Sequence, residues 1–254
     1  MDLISVIMPF YKKKDFFKDS LLSVLDQTYK NLEIIIIYDD IIREDLVFIQ
    51  KLSQLDSRIK IIINDKNLGA GISRNVGMSN SRGKFIAFLD CDDIWKKDKI
   101  KIQYDYMKNE NIEFSHTSYE IIDKKNSIIG LMSVSKELSY HDLLNSCDIG
   151  LSTVMMKKNL INVANFKDLK TKEDYALWLE YARNEVRIAG IDQVLTSWRN
   201  LNNSLSSSFM DKFVNAFNVY YKFEKKGLLK SFFLVIKLSL FYIIKKIKQK
   251  TNNK

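Results

Sequence analysis

Two cysteines and two histidines in 254 residues leave little room for several kinds of site. Cys91 and Cys147 give no disulfide framework and no CxxC metal knuckle, and they suit a reducing compartment. His116 and His141 are too few and too far apart in the chain for a zinc site. The apolar piece over residues 3–10 is short, contains Pro9 and runs into Lys12-Lys13-Lys14 rather than a small-residue cleavage site, so it is not read as a signal peptide. The body of the chain is therefore expected in the cytoplasm. There is no internal repeat and no low-complexity linker. No uninterrupted apolar stretch reaches the roughly 20 residues that a spanning helix needs.

Hydrophobic residues at 46% and charged residues at 28% indicate a globular chain, long enough for one large domain with an appendage. The net charge of +9 admits nucleic acid, anionic lipid or phosphorylated substrates as partners. Much of the excess lies after Lys222, among Lys225, Lys226, Lys230, Lys237, Lys245, Lys246, Lys248, Lys250 and Lys254. Those lysines interleave with long aliphatic residues, which disfavours nucleic acid.

Apolar runs alternate with helical spacing through the first 95 residues. Residues 3–8 form a first buried strand, ended by Pro9, which cannot donate to a ladder. Residues 16–27 are helical, and residues 32–38 form a continuous β-branched run ending in Asp39-Asp40. A helix over 45–55, a strand over 59–63, a polar loop over 64–71 and a helix over 72–79 follow. The fourth strand is Phe85-Ile86-Ala87-Phe88-Leu89, and it stops in Asp90-Cys91-Asp92-Asp93. This order predicts an open, mostly parallel α/β sheet, whose ligands bind outside the carboxyl ends of the strands. Asp39, Asp40, Asp90, Asp92 and Asp93 all fall at such ends. Carboxylates at a buried strand end are costly without a positive partner, and a hard divalent cation bridging phosphates would supply one. Alone, the Asp90–Asp93 cluster would read first as helix-cap and turn residues before Ile94-Trp95.

The second half is less regular. Helices are predicted over 98–108 and 141–147, and strands over 114–122, 128–134, 150–156, 186–191 and 194–198. A helix begins near Thr171, which can cap it, with Glu173 and Asp174 in its first turn.

Together these pieces resemble the family 2 glycosyltransferases of the GT-A fold over roughly residues 3–208. The resemblance rests on Ser5-Val6-Ile7-Met8-Pro9-Phe10-Tyr11, Ser23-Val24-Leu25-Asp26-Gln27-Thr28-Tyr29, Glu33-Ile34-Ile35, Asn67-Leu68-Gly69, Ser73-Arg74-Asn75-Val76-Gly77, Phe88-Leu89-Asp90-Cys91-Asp92-Asp93-Ile94-Trp95, Ser152-Thr153-Val154-Met155 and Glu173-Asp174-Tyr175-Ala176-Leu177-Trp178-Leu179. It implies an inverting, metal-dependent enzyme moving a sugar from a nucleotide-sugar, a UDP-sugar, to a hydroxyl of a lipid-linked or surface glycan. Residues 1–95 would be the nucleotide-binding half, 96–208 the acceptor half, and 209–254 a basic amphipathic helical tail.

The resemblance also implies roles. Pro9 and Tyr11 would lie against the nucleotide. Asp39, or Asp40 after a one-residue slip, would contact the base, although Tyr38-Asp39-Asp40-Ile41-Ile42 replaces the usual Asp-Asp-Gly-Ser. Arg74 would sit near base or diphosphate. Asp92 would be the direct ligand of Mn²⁺ or Mg²⁺, with Asp90 towards the ribose or the metal's water shell and Asp93 capping the next turn. Asp174 would be the general base and Glu173 its positioning neighbour. Arg199 and Ser204 would contact the diphosphate, Leu201 stands where relatives often carry His, and residues 202–208 would form a lid.

The tail reads as one or two helices over 212–250. At about 100° per residue, Lys226, Lys230, Lys237, Lys245 and Lys248 share one side, with Leu234, Phe241 and Ile244 intruding. The pattern suits an in-plane helix on an anionic membrane, which would place the protein on the inner face of the cell membrane. A dimerisation helix, making a homodimer, and a short spanning segment are the alternatives. Two other readings compete for the whole chain. Nucleotidyl transfer would need a Gly-rich phosphate loop after the first strand, and Met8-Pro9-Phe10-Tyr11-Lys12 is none. An inactive membrane-bound scaffold is permitted by the altered residues 39–42 and by Leu201, and opposed by Asp90, Asp92 and Asp174.

Overall fold

The computed structural model describes residues 1–201 and 209–251. Strand β1 (Ile4–Phe10) is buried along its whole length. It pairs in parallel with β2 (Leu32–Tyr38) on one edge and with β4 (Phe85–Phe88) on the other, and β2 pairs in parallel with β3 (Ile59–Ile63). Helices α1 (Lys14–Leu25), α2 (Leu46–Ser53) and α3 (Gly69–Ser79) make the crossovers. The unbroken apolar runs of β1 and β2 follow from this, because both faces of the sheet are covered. Val6, Met8, Ile34 and Ile36 pack towards Phe17, Leu21 and Ile49 on one side. Ile7, Ile35 and Ile37 pack towards Met78 and Trp178 on the other. Each fully buried side chain of this kind contributes roughly 1.5–3 kcal/mol.

The remaining strands turn the sheet mixed. β9 (Met155–Lys157) runs antiparallel to β4 and to β6 (Phe114–Ile122), and β6 runs parallel to β10 (Ile188–Arg199). The order is β3-β2-β1-β4-β9-β6-β10, with β5 (Ile94–Trp95) antiparallel at the far edge of β10. β7 (Ile128–Met132) pairs with β6, and β8 (Glu137–Leu138) with β10. Helices α4 (Lys99–Asn109), α5 (Tyr140–Asn145) and α6 (Glu173–Arg183) complete the body. The predicted α/β class is the one observed, and the sheet, expected mostly parallel, is parallel over β1–β4 and mixed beyond them.

Several local expectations are corrected. Pro9 does not end β1, which continues to Phe10. Ile4 N–H donates to Asn31 O on the β2 side, so the odd-numbered amides face β4, and pairing with β4 stops at Ile7 opposite Phe88. The amide that Pro9 lacks therefore belongs where no partner strand remains. The strand expected over 150–156 is a tight turn at Leu151–Thr153 followed by the short β9. The two strands expected at 186–191 and 194–198 are one strand, β10, with register shifts between Ile191 and Val194 and between Val194 and Thr196. Thr171 does not cap α6. The cap position is Lys172, in the left-handed region at φ 69°, while Thr171 Oγ1 accepts from Asn215 Nδ2 at 3.0 Å.

The tail begins with α7 (Phe209–Asn218), widens through Val219–Phe223, turns at Gly227 with φ 75° and continues as α8 (Leu228–Thr251). Ser231 and Val235 face inward and are buried, with Leu234 and Leu238 packed on the layer that holds α6. Leu229, Phe233 and Leu240 point the other way, 74%, 69% and 53% exposed. No helix among the described residues is long and apolar enough to cross a membrane, so the spanning alternative for the tail finds no support there.

Candidate active site

The parallel strands deliver two acidic tips to one edge of the sheet, and the protein treats them differently. At the end of β2, the Asp39 carboxylate is buried and fully engaged. Asn64 Nδ2 and Leu68 N–H donate to Oδ1, both at 2.8 Å, and Gly69 N–H donates to Oδ2 at 2.9 Å. The cap residue of α3, Leu68, has no side-chain acceptor to offer. Asp39 supplies one from another element, and its charge sits at the positive end of the helix. Asp40, next to it, accepts from Ile42 N–H at 3.2 Å through Oδ1. Its Oδ2 is buried with no partner among the described residues.

The tip of β4 is held by cations and by the second half of the chain. Arg74, on α3, is buried, and its fork reaches two carboxylates. Nη2 donates to Asp90 Oδ1 and Nη1 to Glu173 Oε1, each at 2.7 Å. Burial opposes its charge, yet Asp90 and Glu173 hold the guanidinium above its ordinary range. Its face lies 5.4 Å from the Phe166 ring. Arg74 thus ties the β4 tip to the start of α6. Gly71, one turn earlier on α3, allows that closeness, since a Cβ there would stand 3.0 Å from Glu173 Cγ and from Lys167 O.

Asp92 Oδ2 lies 3.0 Å from Lys13 Nζ, at the start of α1. Burial first and the Asp90 charge second push Asp92 above the usual carboxylate range, against the pull of Lys13. Asp93 does not cap the following turn, as its place in the chain suggests. Its Oδ2 accepts from Ser152 Oγ at 2.5 Å and its Oδ1 from Arg199 N–H at 2.8 Å. Burial, then Asp92 and Asp90, push it well above its ordinary range. Ser152 Oγ also accepts from Asp90 N–H at 3.0 Å. Arg199 Nε donates to Asp92 O at 2.8 Å and Nη1 to Asp123 O at 2.9 Å, with the guanidinium 4.7 Å from the Phe16 ring. Asp93, Ser152 and Arg199 together fix the backbone that presents Asp90 and Asp92.

Glu173 opens α6. Burial and neighbouring Asp174 raise it, against the pull of Arg74. Asp174 is partly exposed, and its Oδ1 accepts from Tyr175 N–H at 2.7 Å. Pro9 is buried inside β1, while Tyr11 is partly exposed in the loop after it, with Lys12 Nζ 5.2 Å from its ring. Leu201 is buried, and Ser204 with the lid expected over 202–208 lies outside the described residues.

The structure therefore joins Asp90, Asp92, Arg74 and Glu173 in one constellation, with Asp174 one residue beyond Glu173. It sets Asp39 apart as a capping group. Lys13 and Ser152 are the side chains a reading of the chain overlooks. Lys13 has a signal, being a basic run placed directly after the first strand. Ser152 had none as a site residue, because its partners are about 60 positions away.

No group of three or more His, Cys, Asp or Glu side chains among the described residues could hold a metal alone. Asp90 and Asp92 nevertheless fit a hard divalent ion. Their carboxylates lie two residues apart at one strand tip, burial and the Asp90 charge raise Asp92, and an ammonium already stands in as the cation on Asp92. Sites for Mg²⁺-type ions use one or two carboxylates and leave the rest to water and substrate phosphate.

The sequence profile described as glycosyl transferase family 2 matches residues 5–168. Among curated relatives, the Escherichia coli UDP-Glc:alpha-D-GlcNAc-diphosphoundecaprenol beta-1,3-glucosyltransferase WfgD is 35% identical over 234 residues, 92% of this chain and 91% of its own length. The enzyme of the same description named WfaP, also from E. coli, is 35% identical over 86% of each chain. Among solved structures, S. aureus TarS 1–349 in complex with UDP-GlcNAc superposes with a TM-score of 0.68 at 17% identity, over 87% of this chain and 73% of that one. The mannosyltransferase PcManGT from Pyrobaculum calidifontis, in complex with GDP-Man and Mn²⁺, gives 0.68 at 11% identity over 92% and 70%. The two structures share the fold.

Proposed function

Because this chain belongs to the family 2 glycosyltransferases, we propose that it is an inverting, metal-dependent enzyme that moves a sugar from a UDP-sugar to a hydroxyl of a lipid-linked or surface glycan. The observation that carries this reading is the Arg74 bridge, which holds a donor-side carboxylate, Asp90, and an acceptor-side carboxylate, Glu173, on one guanidinium. Relatives named for UDP-Glc and for a diphosphoundecaprenol-linked acceptor support the donor and acceptor classes.

In this reading Asp90 and Asp92 would hold Mn²⁺ or Mg²⁺, which would stabilise the charge growing on the departing nucleoside diphosphate. Asp174 takes the proton from the acceptor hydroxyl as that oxygen attacks the anomeric carbon. Glu173, fixed by Arg74, positions the start of α6 and hence Asp174. Arg199 acts on the site through the Asp92 carbonyl. Of the two acidic residues after β2, Asp40 is the better base contact, since Asp39 has both oxygens committed and Asp40 Oδ2 has none. Tyr11 and Pro9 flank the nucleotide.

The tail, in the same reading, rests on an anionic membrane on the cytoplasmic side. Its support is the doubly apolar α8, with one face on the body and the other bare beside Lys226, Lys230 and Lys237.

A donor screen with Mn²⁺ or Mg²⁺ tests the activity by release of nucleoside diphosphate. Asp92→Asn should remove the metal-dependent part. Asp174→Asn should cut transfer by roughly 10²–10⁴-fold while leaving donor binding within a few fold. Near-normal turnover in Asp174→Asn would place the base elsewhere. Leu229→Glu with Phe233→Glu should release the protein from phosphatidylglycerol vesicles, and unchanged sedimentation would refute the tail's role.

A further inference from the structure

Asp92 has a cation already. Lys13 Nζ lies 3.0 Å from Asp92 Oδ2, and the two side chains are 24% and 19% exposed. The other cations at the β4 tip are spoken for. Arg74 is divided between Asp90 and Glu173, and the nitrogens of Arg199 reach the main-chain carbonyls of Asp92 and Asp123. We propose that Lys13 is the resident counter-cation of Asp92, exchanged for the divalent ion when the donor arrives and then turned onto the donor's diphosphate. This rests on the reading of Asp92 as a metal ligand.

Geometry favours exchange at Lys13 and not at Arg74. Lys13 sits at the cap position of α1, in the loop beyond the carboxyl end of β1 where ligands of such sheets bind. Its cap makes no side-chain hydrogen bond, and Lys12 before it is in the left-handed region at φ 49°. An ammonium on a four-carbon stem can leave one oxygen and reach another by rotating its own torsions, whereas the planar Arg74 fork is pinned at both ends. Charge decides the order of events. A divalent ion entering beside Asp92 while Lys13 remains would put three positive charges against Asp90 and Asp92, one of which is already shared with Arg74. A nucleoside diphosphate brings the missing negative charge and gives Lys13 a new partner. Metal alone must therefore compete with Lys13, and metal with nucleotide need not. The two ligands are coupled through one side chain, and such coupling is reciprocal.

The experiment is a Mn²⁺ titration followed by electron paramagnetic resonance, with and without UDP, on the full chain. Lys13→Met should bind Mn²⁺ alone about tenfold more tightly than the wild type. It should bind UDP in saturating Mn²⁺ about fivefold more weakly, within the usual range of such coupling. Lys13→Gln should do the same, which guards against a packing effect of the Met side chain. Unchanged or weaker Mn²⁺ binding in both variants, beside a clear loss in Asp92→Asn, overturns the exchange and leaves the metal reading standing. No Mn²⁺ binding by the wild type in either condition, with Asp92→Asn no different, overturns both.

Discussion

The tips of β2 and β4 are the same chemistry, adjacent aspartates at the carboxyl end of a buried parallel strand, solved in two ways. At β2 the neutralising groups are amides. Asp39 is surrounded by two main-chain N–H groups and Asn64, and the two main-chain donors cannot leave without unwinding the start of α3. At β4 the neutralising groups for Asp90 and Asp92 are side-chain cations, Arg74 forked between two carboxylates and Lys13 on a flexible four-carbon stem. An anion held by backbone amides is part of the fold. An anion held by a side chain that can swing away is available to a ligand. Between the extremes stands Asp93, buried at the β4 tip but satisfied by Ser152 and the Arg199 amide, and so on the structural side of the line.

That difference can be broken most severely at Arg74. Arg74→Met leaves Glu173 buried and uncompensated beside Asp174, and it should cost roughly 3–5 kcal/mol in urea unfolding. Wild-type stability in that variant would mean that the two carboxylates do not depend on the guanidinium. A buried ionisable group with no partner offers the opposite case. His116 is fully buried, neither ring nitrogen has a partner among the described residues, and burial lowers its pKa to about 4. The unfolded chain takes up that proton near pH 6.5, so it binds more protons than the folded state between there and pH 4. Stability should therefore fall as pH falls through that window, by about 3 kcal/mol from this residue. His116→Leu should flatten this acid limb, and an unaltered limb would assign the acid sensitivity to other groups.

Next in size is Asp39→Ala. It strips the acceptors from the Leu68 and Gly69 amides and should destabilise by about 2 kcal/mol, read as a shift in the urea midpoint with the slope unchanged. The smallest effect on stability is expected at Asp92→Asn. That change relieves burial of a charge and repulsion from Asp90 while losing one mostly buried ion pair, and the two effects oppose each other, so it should stay within about 0.5 kcal/mol of the wild type while metal-dependent donor binding disappears. If Asp39→Ala proved neutral and Asp92→Asn strongly destabilising, the assignment of the two tips would have to be reversed.

Much of the fold was legible in the chain because its strands are long, apolar and β-branched. The runs over residues 4–10 and 32–38 have no exposed face, and burial on both sides of a parallel sheet is the arrangement that satisfies them. The second half was less legible. β9 is three residues long and β5 two, too short for any periodicity, and they exist because β4, β6 and β10 offer them ladders. The site divides along the same line. Which residues are acidic at strand ends, and which helix starts with Glu-Asp, is written in local order. Asp39 against Asp40, the burial of Arg74 and the true partners of Asp93 are not, since each depends on hydrogen-bond partners 16 to 106 positions away.

What the amino-acid order determined alone is the set of carboxylates and the edge of the sheet to which they are delivered. Strand direction and apolar periodicity are local properties, and they suffice for that. Which carboxylate is a cap, which is clamped and which stands open to a ligand was decided only by tertiary structure. A carboxylate's role depends on what neutralises it, and here the neutralising groups come from α3, from the turn at Ser152, from β10 and from the first residue ahead of α1.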